Sequence, residues 1–260
     1  MVLSEKDKKG IMLMAGVGVV LLAIVGLKLA LGNAPKPGPD GCVAGVTANT
    51  VIVLDHSEQL TDQTRAEIVA RAMTFIKDKV KTNERVTMFT VSEVSKKSLT
   101  PVFSRCKPPE DGHRAYENVR EIEKHFKRDF IEPAQAVLAN PPRDSNESPV
   151  AQALIDISLS QYLRGEHNSL LVFSDMLENT KKFSLYKCAS APESVARFRE
   201  SRRGAQERPK FRNTSVSLNM IPRTDISKPT LKCRDQVWEW FFGDNEGSRA
   251  AFEVDYLPGA

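Results

Sequence analysis

Two short hydrophobic runs, each followed by an aspartate, are the clearest pattern in the chain. Val51-Ile-Val-Leu leads into Asp55, and Leu170-Leu-Val-Phe leads through Ser174 into Asp175. Continuous runs of this length, rich in β-branched residues, are typical of strands buried on both faces of a parallel sheet. Because ligands bind at the carboxyl ends of strands in open α/β sheets, both aspartates are candidate functional residues.

The rest of the chain alternates between strand and helix patterns. Besides the two runs above, strands are predicted at 86–91, 99–103, 215–221 and 252–256, and helices at 61–80, 116–140, 150–163, 193–204 and 232–242. Pro133 predicts a kink or break in its helix, and Ser148 is a predicted cap of the helix that begins at Val150. The alternation predicts a Rossmann-like α/β fold. Its open, mostly parallel sheet has helices on both faces, and a hairpin of the second and third strands makes one edge strand antiparallel.

An apolar stretch at residues 11–31, broken only by Lys28, is long enough to cross a bilayer as a helix. The lysines before it place residues 1–10 in the cytoplasm and the globular part outside, by the positive-inside rule. The alternative is a cleaved signal peptide, but the apolar run is longer than a usual signal-peptide core, which favours an uncleaved anchor in the inner membrane. Residues 32–44 are rich in proline and glycine and form a stiff linker, and residues 45–260 form the domain.

Composition excludes several classes of function. The 260 residues carry a net charge of +4, and the basic residues are spread out, so a nucleic-acid partner is not expected. The densest basic segment, 197–212, is interpreted as a solvated face or as a contact with anionic lipid headgroups. No phosphate-binding loop, dinucleotide fingerprint or nucleophile elbow is present, so we predict that the protein is not an enzyme.

The four cysteines are predicted to form disulfides, since an extracytoplasmic location permits them. Cys42 precedes the first strand and Cys106 follows the antiparallel third strand, which puts both at the amino edge of the sheet. Cys188 and Cys233 follow the fourth and fifth strands, at the carboxyl edge. The predicted pairs are therefore Cys42–Cys106 and Cys188–Cys233, and the alternative is four reduced, partly buried thiols.

The order of elements and the motifs around Asp55 and Asp175 resemble the von Willebrand factor type A (vWA) domain, in a bacterial membrane-anchored protein. In that family, an Asp-x-Ser-x-Ser run after the first strand, a Thr from a later loop and an Asp after the fourth strand hold a Mg²⁺ ion. The open position of this metal ion-dependent adhesion site takes a carboxylate from a partner protein. Here Asp55 and Ser57 match the first two positions, Gln59 replaces the second Ser, and Asp175 matches the last position.

The family's Thr has no counterpart, so Ser145 or Ser148 would have to serve in its place. The resemblance thus implies a Mg²⁺ site with an incomplete motif, formed by Asp55, Ser57, Gln59, Ser148 and Asp175.

Two functions follow from these candidates. The first is binding of another protein at the carboxyl edge, through these residues and the loop 176–192, with or without Mg²⁺. The second is a metal-dependent hydrolase of the phosphoesterase type that uses Asp55 and Asp175 as ligands. His56 is not a catalytic partner of Asp55, because adjacent residues on an extended segment point to opposite sides. Trp240 is a further candidate contact with a partner.

Overall fold

The structure is a computed structural model that describes residues 5–30, 36–55, 57, 60–91, 99–112, 117–139, 147–188, 190–243 and 252–258. The chain divides into two compact units, Met1–Pro37 and Gly38–Ala260.

The first unit contains helix α1, Glu5–Ala30. Within it, Lys9–Gly26 has a mean hydropathy of 2.2 and none of this window is buried. By length and composition, this helix is able to cross a membrane, and it lies near the N-terminus as membrane anchors and signal sequences do.

The second unit is a mixed α/β domain, as the pattern of the sequence predicts. Its strands are β1 (Ala48–Leu54), β2 (Arg85–Thr90), β3 (Phe103–Cys106), β4 (His167–Ser174), β5 (Thr214–Met220) and β6 (Phe252–Tyr256). Its α-helices are α2 (Asp62–Asp78), α3 (Val119–Phe126), α4 (Glu132–Leu138), α5 (Val150–Leu159), α6 (Ala191–Ser201) and α7 (Lys228–Phe242). A π-helix (Lys127–Ile131) joins α3 to α4, and short 3₁₀ helices lie at Gln161–Leu163 and Leu185–Lys187.

The described strands form a six-stranded sheet in the order β3-β2-β1-β4-β5-β6. All neighbouring pairs are parallel except β2 and β3, which are antiparallel. The predicted fold class is therefore confirmed, including the single antiparallel strand at an edge. Because β1, β4 and β5 run in the same direction, the loops that follow them meet at the carboxyl edge of the sheet.

The strand β1 is apolar throughout because it packs on both faces. Val51 and Val53 belong to one core cluster, whose helices are α5, α6 and α7, and Ile52 and Leu54 belong to the other, whose helices are α2 and α4. All four side chains are at most 1% exposed. The strand is thereby fixed from both sides, and the position of the residues that follow it is fixed as well.

Several predicted boundaries differ from the structure. The third strand begins at Phe103 rather than Leu99. The helix around Pro133 continues through a π-helical turn, because proline lacks the N–H that an α-helical turn would use and the wider turn accommodates its ring. Residues 38–44, which the sequence analysis places in the linker, pack on the domain, where Asp40 forms an ion pair with Arg85.

The four cysteines pair as the sequence analysis predicts, Cys42 with Cys106 and Cys188 with Cys233. The first disulfide closes the amino edge of the sheet. The second joins the segment after β4 to helix α7, at the carboxyl edge.

Candidate functional site

A polar cavity of about 160 Å³ lies at the carboxyl edge of the sheet. It forms where the loops after β1, β4 and β5 meet the first turn of α2. Its described lining comprises Asp55, Ser57, Leu60, Thr61, Thr64, Asp175, Ile221, Pro222, Arg223, Thr224 and Asp225. Asp55 and Asp175, which the sequence singles out, therefore face one cavity.

Asp55 is buried, with 6% of its surface exposed, and both of its carboxylate oxygens accept hydrogen bonds. The Ser57 hydroxyl and backbone N–H donate to Oδ1, at 2.6 and 3.1 Å. The hydroxyls of Ser174 and Ser148 donate to Oδ2, at 2.7 and 3.0 Å. Because a carboxylate offers about four lone-pair sites, donors of the protein itself satisfy this group.

Ser148 contacts Asp55, but the local structure around Ser148 differs from the helix cap that the sequence predicts. The predicted helix cap is wrong, because Pro149 is the N-cap residue of α5 and no side chain caps that position. Instead, the backbone of Ser148 forms a β-bridge with Asn179, with hydrogen bonds of 2.7 and 3.0 Å. This bridge directs the Ser148 hydroxyl toward Asp55 and ties the loop before α5 to the segment after β4.

Asp175 is held by the backbone on one side and by a guanidinium on the other. The N–H of Leu177 donates to Oδ1 at 2.9 Å, and Nη1 of Arg223 donates to Oδ2 at 2.7 Å. Met176, which lies between Asp175 and Leu177 in the chain, has a φ of 59°, in the left-handed region that residues other than glycine rarely adopt. Burial, together with the negative charge of Asp55, raises the pKa of Asp175, and the hydrogen bond from Leu177 and the charge of Arg234 oppose this rise.

A third buried carboxylate, Glu178, lies in the segment after β4, three residues beyond Asp175. It is 3% exposed and accepts a hydrogen bond of 2.9 Å from the N–H of Ala151, in the first turn of α5. Burial raises the pKa of Glu178 to about 8, against the opposing effect of that hydrogen bond and of the charge of Arg202. The sequence analysis missed this residue because it is a lone acidic residue in an irregular segment.

Arg223 is the functional candidate that the sequence analysis missed and that the structure places most prominently. Its guanidinium contacts Asp175 and also pairs with Asp225, where Nε and Nη2 donate to the two carboxylate oxygens at 2.8 Å each. These hydrogen bonds lower the pKa of Asp225. The side chains of Arg223 and Asp175 are 17% and 9% exposed, so this ion pair is largely shielded from water.

Among the residues predicted to hold Mg²⁺, those that the structure describes do not fit a bound ion in this arrangement. Mg²⁺ requires oxygen ligands in near-ideal octahedral geometry. The oxygens of Asp55 and Asp175 already accept hydrogen bonds from the protein, and the positive charge of Arg223 lies against Asp175. Within the described ranges, no group of three or more His, Cys, Asp or Glu residues is arranged to hold a metal ion.

Other candidates have different outcomes. Gln59, His56 and Ser145 lie outside the described residues. Trp240 is half-buried, with the guanidinium of Arg208 4.1 Å from its ring centroid and the ring of Phe198 in edge contact. Its ring therefore makes contacts within the domain, and its role as a contact with a partner stays a prediction.

Comparison with known proteins gives little beyond this geometry. No protein-family model matches the chain, and no curated protein matches it. Among solved structures, the chain is similar to the human COPII-coat protein Sec24c, with a TM-score of 0.35 and 13% identity. The match covers 87% of this chain but only 30% of that protein.

Proposed function

We propose that the protein is a membrane-anchored domain of the vWA type that binds another protein at the carboxyl edge of its sheet. In this proposal the N-terminus is cytoplasmic, α1 spans the inner membrane, and the domain lies in the periplasm. The protein is not an enzyme, and its partner is a protein rather than a nucleic acid.

The observation that carries the proposal is the polar cavity at the carboxyl edge. Open α/β sheets bind their ligands at this edge. Here the loops bring hydroxyl, carboxylate and guanidinium groups together at one opening, with Thr224 and Asp225 exposed at its rim. Such a rim offers both donors and acceptors to the side chains of a partner.

The location is supported by two independent features. The helix α1 is long and apolar enough to span a membrane. All four cysteines form disulfides, which persist in oxidising compartments and are rare in the cytosol. The lysines before α1 favour a cytoplasmic N-terminus, which is consistent with an oxidised domain on the other side.

The hydrolase alternative gains no support from the contacts at the site. It requires Asp55 and Asp175 as metal ligands, whereas their oxygens accept hydrogen bonds from Ser57, Ser148 and Arg223, among others. Turnover of a generic phosphoester by the full chain, dependent on Mn²⁺ and abolished by Asp175→Asn, would favour this alternative over protein binding.

The test uses two exposed positions at opposite edges of the sheet. Thr224→Arg places a long cation at the rim of the cavity, and Arg212→Glu changes the charge at the amino edge, next to the start of β5. The full chain and both variants are captured from membranes of the native cell after mild cross-linking. We expect at least one protein to be captured by the parent and by Arg212→Glu but lost with Thr224→Arg. Identical captures from all three would argue against the carboxyl edge as the binding surface.

A further inference from the structure

We propose that Arg223 is a built-in counter-ion that takes the place of a metal ion at the carboxyl edge. The site is then independent of divalent metals and becomes a divalent-cation site only when the guanidinium is removed. This inference rests on the site of the proposed function and deepens it, because the contact with the partner does not pass through a metal bridge. Its test does not require the partner.

The contacts of Arg223 are those of a bridging cation. One nitrogen, Nη1, donates to Asp175, and the other side of the fork, Nε and Nη2, donates to both oxygens of Asp225. A two-point pairing between a guanidinium and a carboxylate is directional and stronger than a neutral hydrogen bond. The guanidinium is also charged at every physiological pH. It thus supplies a permanent positive charge to a carboxylate that the vWA resemblance assigns to the metal.

The surroundings explain why a positive charge is needed at this point. Asp55 and Asp175 are both buried, and both line the same cavity. Two buried carboxylates side by side are unfavourable unless a cation compensates them. Asp55 takes its hydrogen bonds from serine hydroxyls and a backbone N–H, which are neutral donors. Arg223 contacts the carboxylate of Asp175 directly, whereas the buried Arg234 donates to the backbone carbonyl of Asp175 at 3.3 Å.

The backbone holds Arg223 in this position. Just before it, the N–H of Ile221 donates to the carbonyl of Ser174 at 3.0 Å, which fixes the end of β5 against the end of β4. Soon after it, Ser227 caps α7 by accepting a hydrogen bond from the N–H of Thr230 at 3.3 Å. The segment that carries Arg223 is short and fixed at both ends, so its guanidinium remains beside Asp175.

An ordinary surface ion pair does not explain these observations. Exposed pairs contribute little to stability because water and salt screen them. The Arg223–Asp175 pair is different, because both side chains are mostly buried and the pair lies inside the cavity rather than on the open surface.

The experiment measures thermal unfolding of the full chain in detergent, with EDTA, Mg²⁺ or Mn²⁺. The fluorescence of the two tryptophans reports on this region, since both lie in α7 and the indole N–H of Trp238 donates to the carbonyl of Met176 at 2.6 Å. The parent is expected to unfold at the same temperature, within about 1 °C, in all three conditions. The variant Arg223→Gln is expected to unfold at a lower temperature in EDTA and to gain about 5 °C in saturating Mn²⁺.

Three further variants make the result specific. Asp175→Asn combined with Arg223→Gln should abolish the gain in Mn²⁺, because it removes the carboxylate that the ion would contact. Arg212→Gln is the control for the same substitution away from the carboxyl edge and should show no response to Mn²⁺. Arg223→Lys keeps a cation beside Asp175, so it should remain insensitive to Mn²⁺ even if Arg223→Gln fails to fold.

Two outcomes would overturn the inference. Stabilisation of the parent by Mg²⁺ or Mn²⁺ that is lost in Asp175→Asn would mean that the native site holds a metal. A folded Arg223→Gln variant without any response to Mn²⁺ would mean that the guanidinium does not stand in for an ion. Either result leaves the protein-binding proposal to be decided by the capture experiment, so the two can fail separately.

Discussion

The two edges of the sheet accommodate buried polar groups in different ways. At the amino edge, Asn168 donates to the carbonyls of Leu163 and Gly165 and accepts from the N–H of Gly165, all within 3.1 Å. The buried Lys107 donates to three carbonyls at the end of α2, at 2.8–2.9 Å. At the carboxyl edge, the carboxylates of Asp55 and Asp175 are buried side by side.

The comparison shows which edge of the sheet contains neighbouring buried carboxylates. At the amino edge, Asn168 is a neutral amide paired with backbone groups, and Lys107 is a cation at the C-terminus of a helix. The carboxyl edge retains carboxylates whose pKa is raised by burial, namely Asp175 and Glu178. Groups of this kind are concentrated at functional sites, so the contrast supports the proposal that the carboxyl edge is the binding surface.

The largest effect is expected from removing the acceptor at the centre of the carboxyl edge. The substitution Asp55→Ala leaves the hydroxyls of Ser57, Ser148 and Ser174 without their acceptor, and we expect it to lower the free energy of unfolding by about 4 kcal/mol. Denaturant unfolding of the full chain in detergent measures the change. The matched substitution at the other edge is Asn168→Ala, with an expected loss of about 2 kcal/mol. A smaller loss for Asp55→Ala than for Asn168→Ala would contradict the central role of Asp55.

The two disulfides allow a direct comparison of the edges. They close segments of similar length, with sequence separations of 64 and 45 residues, so replacing either pair by alanine should cost a similar amount, about 3 kcal/mol. Their effects on partner capture should differ. Loss of Cys188–Cys233 frees the segment after β4 from α7 and should weaken capture, whereas loss of Cys42–Cys106 should leave it intact. Equal weakening by both would remove the functional distinction between the edges.

The pH dependence of stability tests the effect of burying the carboxyl group of Glu178. Its pKa is about 8 in the folded state and near 4.5 when exposed, so the folded state retains a proton that the unfolded chain releases. The free energy of unfolding should therefore fall as the pH rises from about 4.5 to about 8. The variant Glu178→Gln should unfold like the parent at pH 5 and be more stable at pH 8.5, by on the order of 2 kcal/mol. A difference that grows toward low pH would have the wrong sign.

The smallest effect on stability is expected at the rim of the cavity. Thr224 is exposed, so Thr224→Arg should change the free energy of unfolding by less than about 0.5 kcal/mol. Arg212→Glu at the amino edge should be similarly mild. Unfolding curves that coincide with that of the parent would establish that any loss of capture by Thr224→Arg comes from the surface and not from misfolding.

The sequence was sufficient to predict the regular elements of the fold, because each has a local hydrophobic pattern. Buried strands such as Val51–Leu54 are apolar because they pack on both faces, and this signal is visible without a structure. The pairing of the cysteines followed from strand direction alone, since β3 is antiparallel and returns Cys106 to the edge where Cys42 lies.

Contacts between loops were not predictable in the same way. Arg223 and Asp175 are 48 residues apart, and neither neighbourhood contains a motif that pairs them. The hydroxyl of Ser174 reaches Asp55 because β1 and β4 are neighbours in the sheet, although an apolar run suggests only a buried strand. The role of Ser148 depends on its bridge to Asn179, which no helix-capping rule describes. Such contacts depend on the relative positions of loops that are far apart in the sequence, and local sequence patterns do not predict those positions.

Site-specific photo-cross-linking in living cells is the most direct test of the carboxyl edge as the binding surface. A photoreactive amino acid is introduced at Thr224 in one version of the full chain and at Arg212 in another, both exposed and at opposite edges. We expect a discrete cross-linked product from position 224 and none of the same mass from position 212. A product from position 212 alone would contradict the account and move the binding surface to the amino edge.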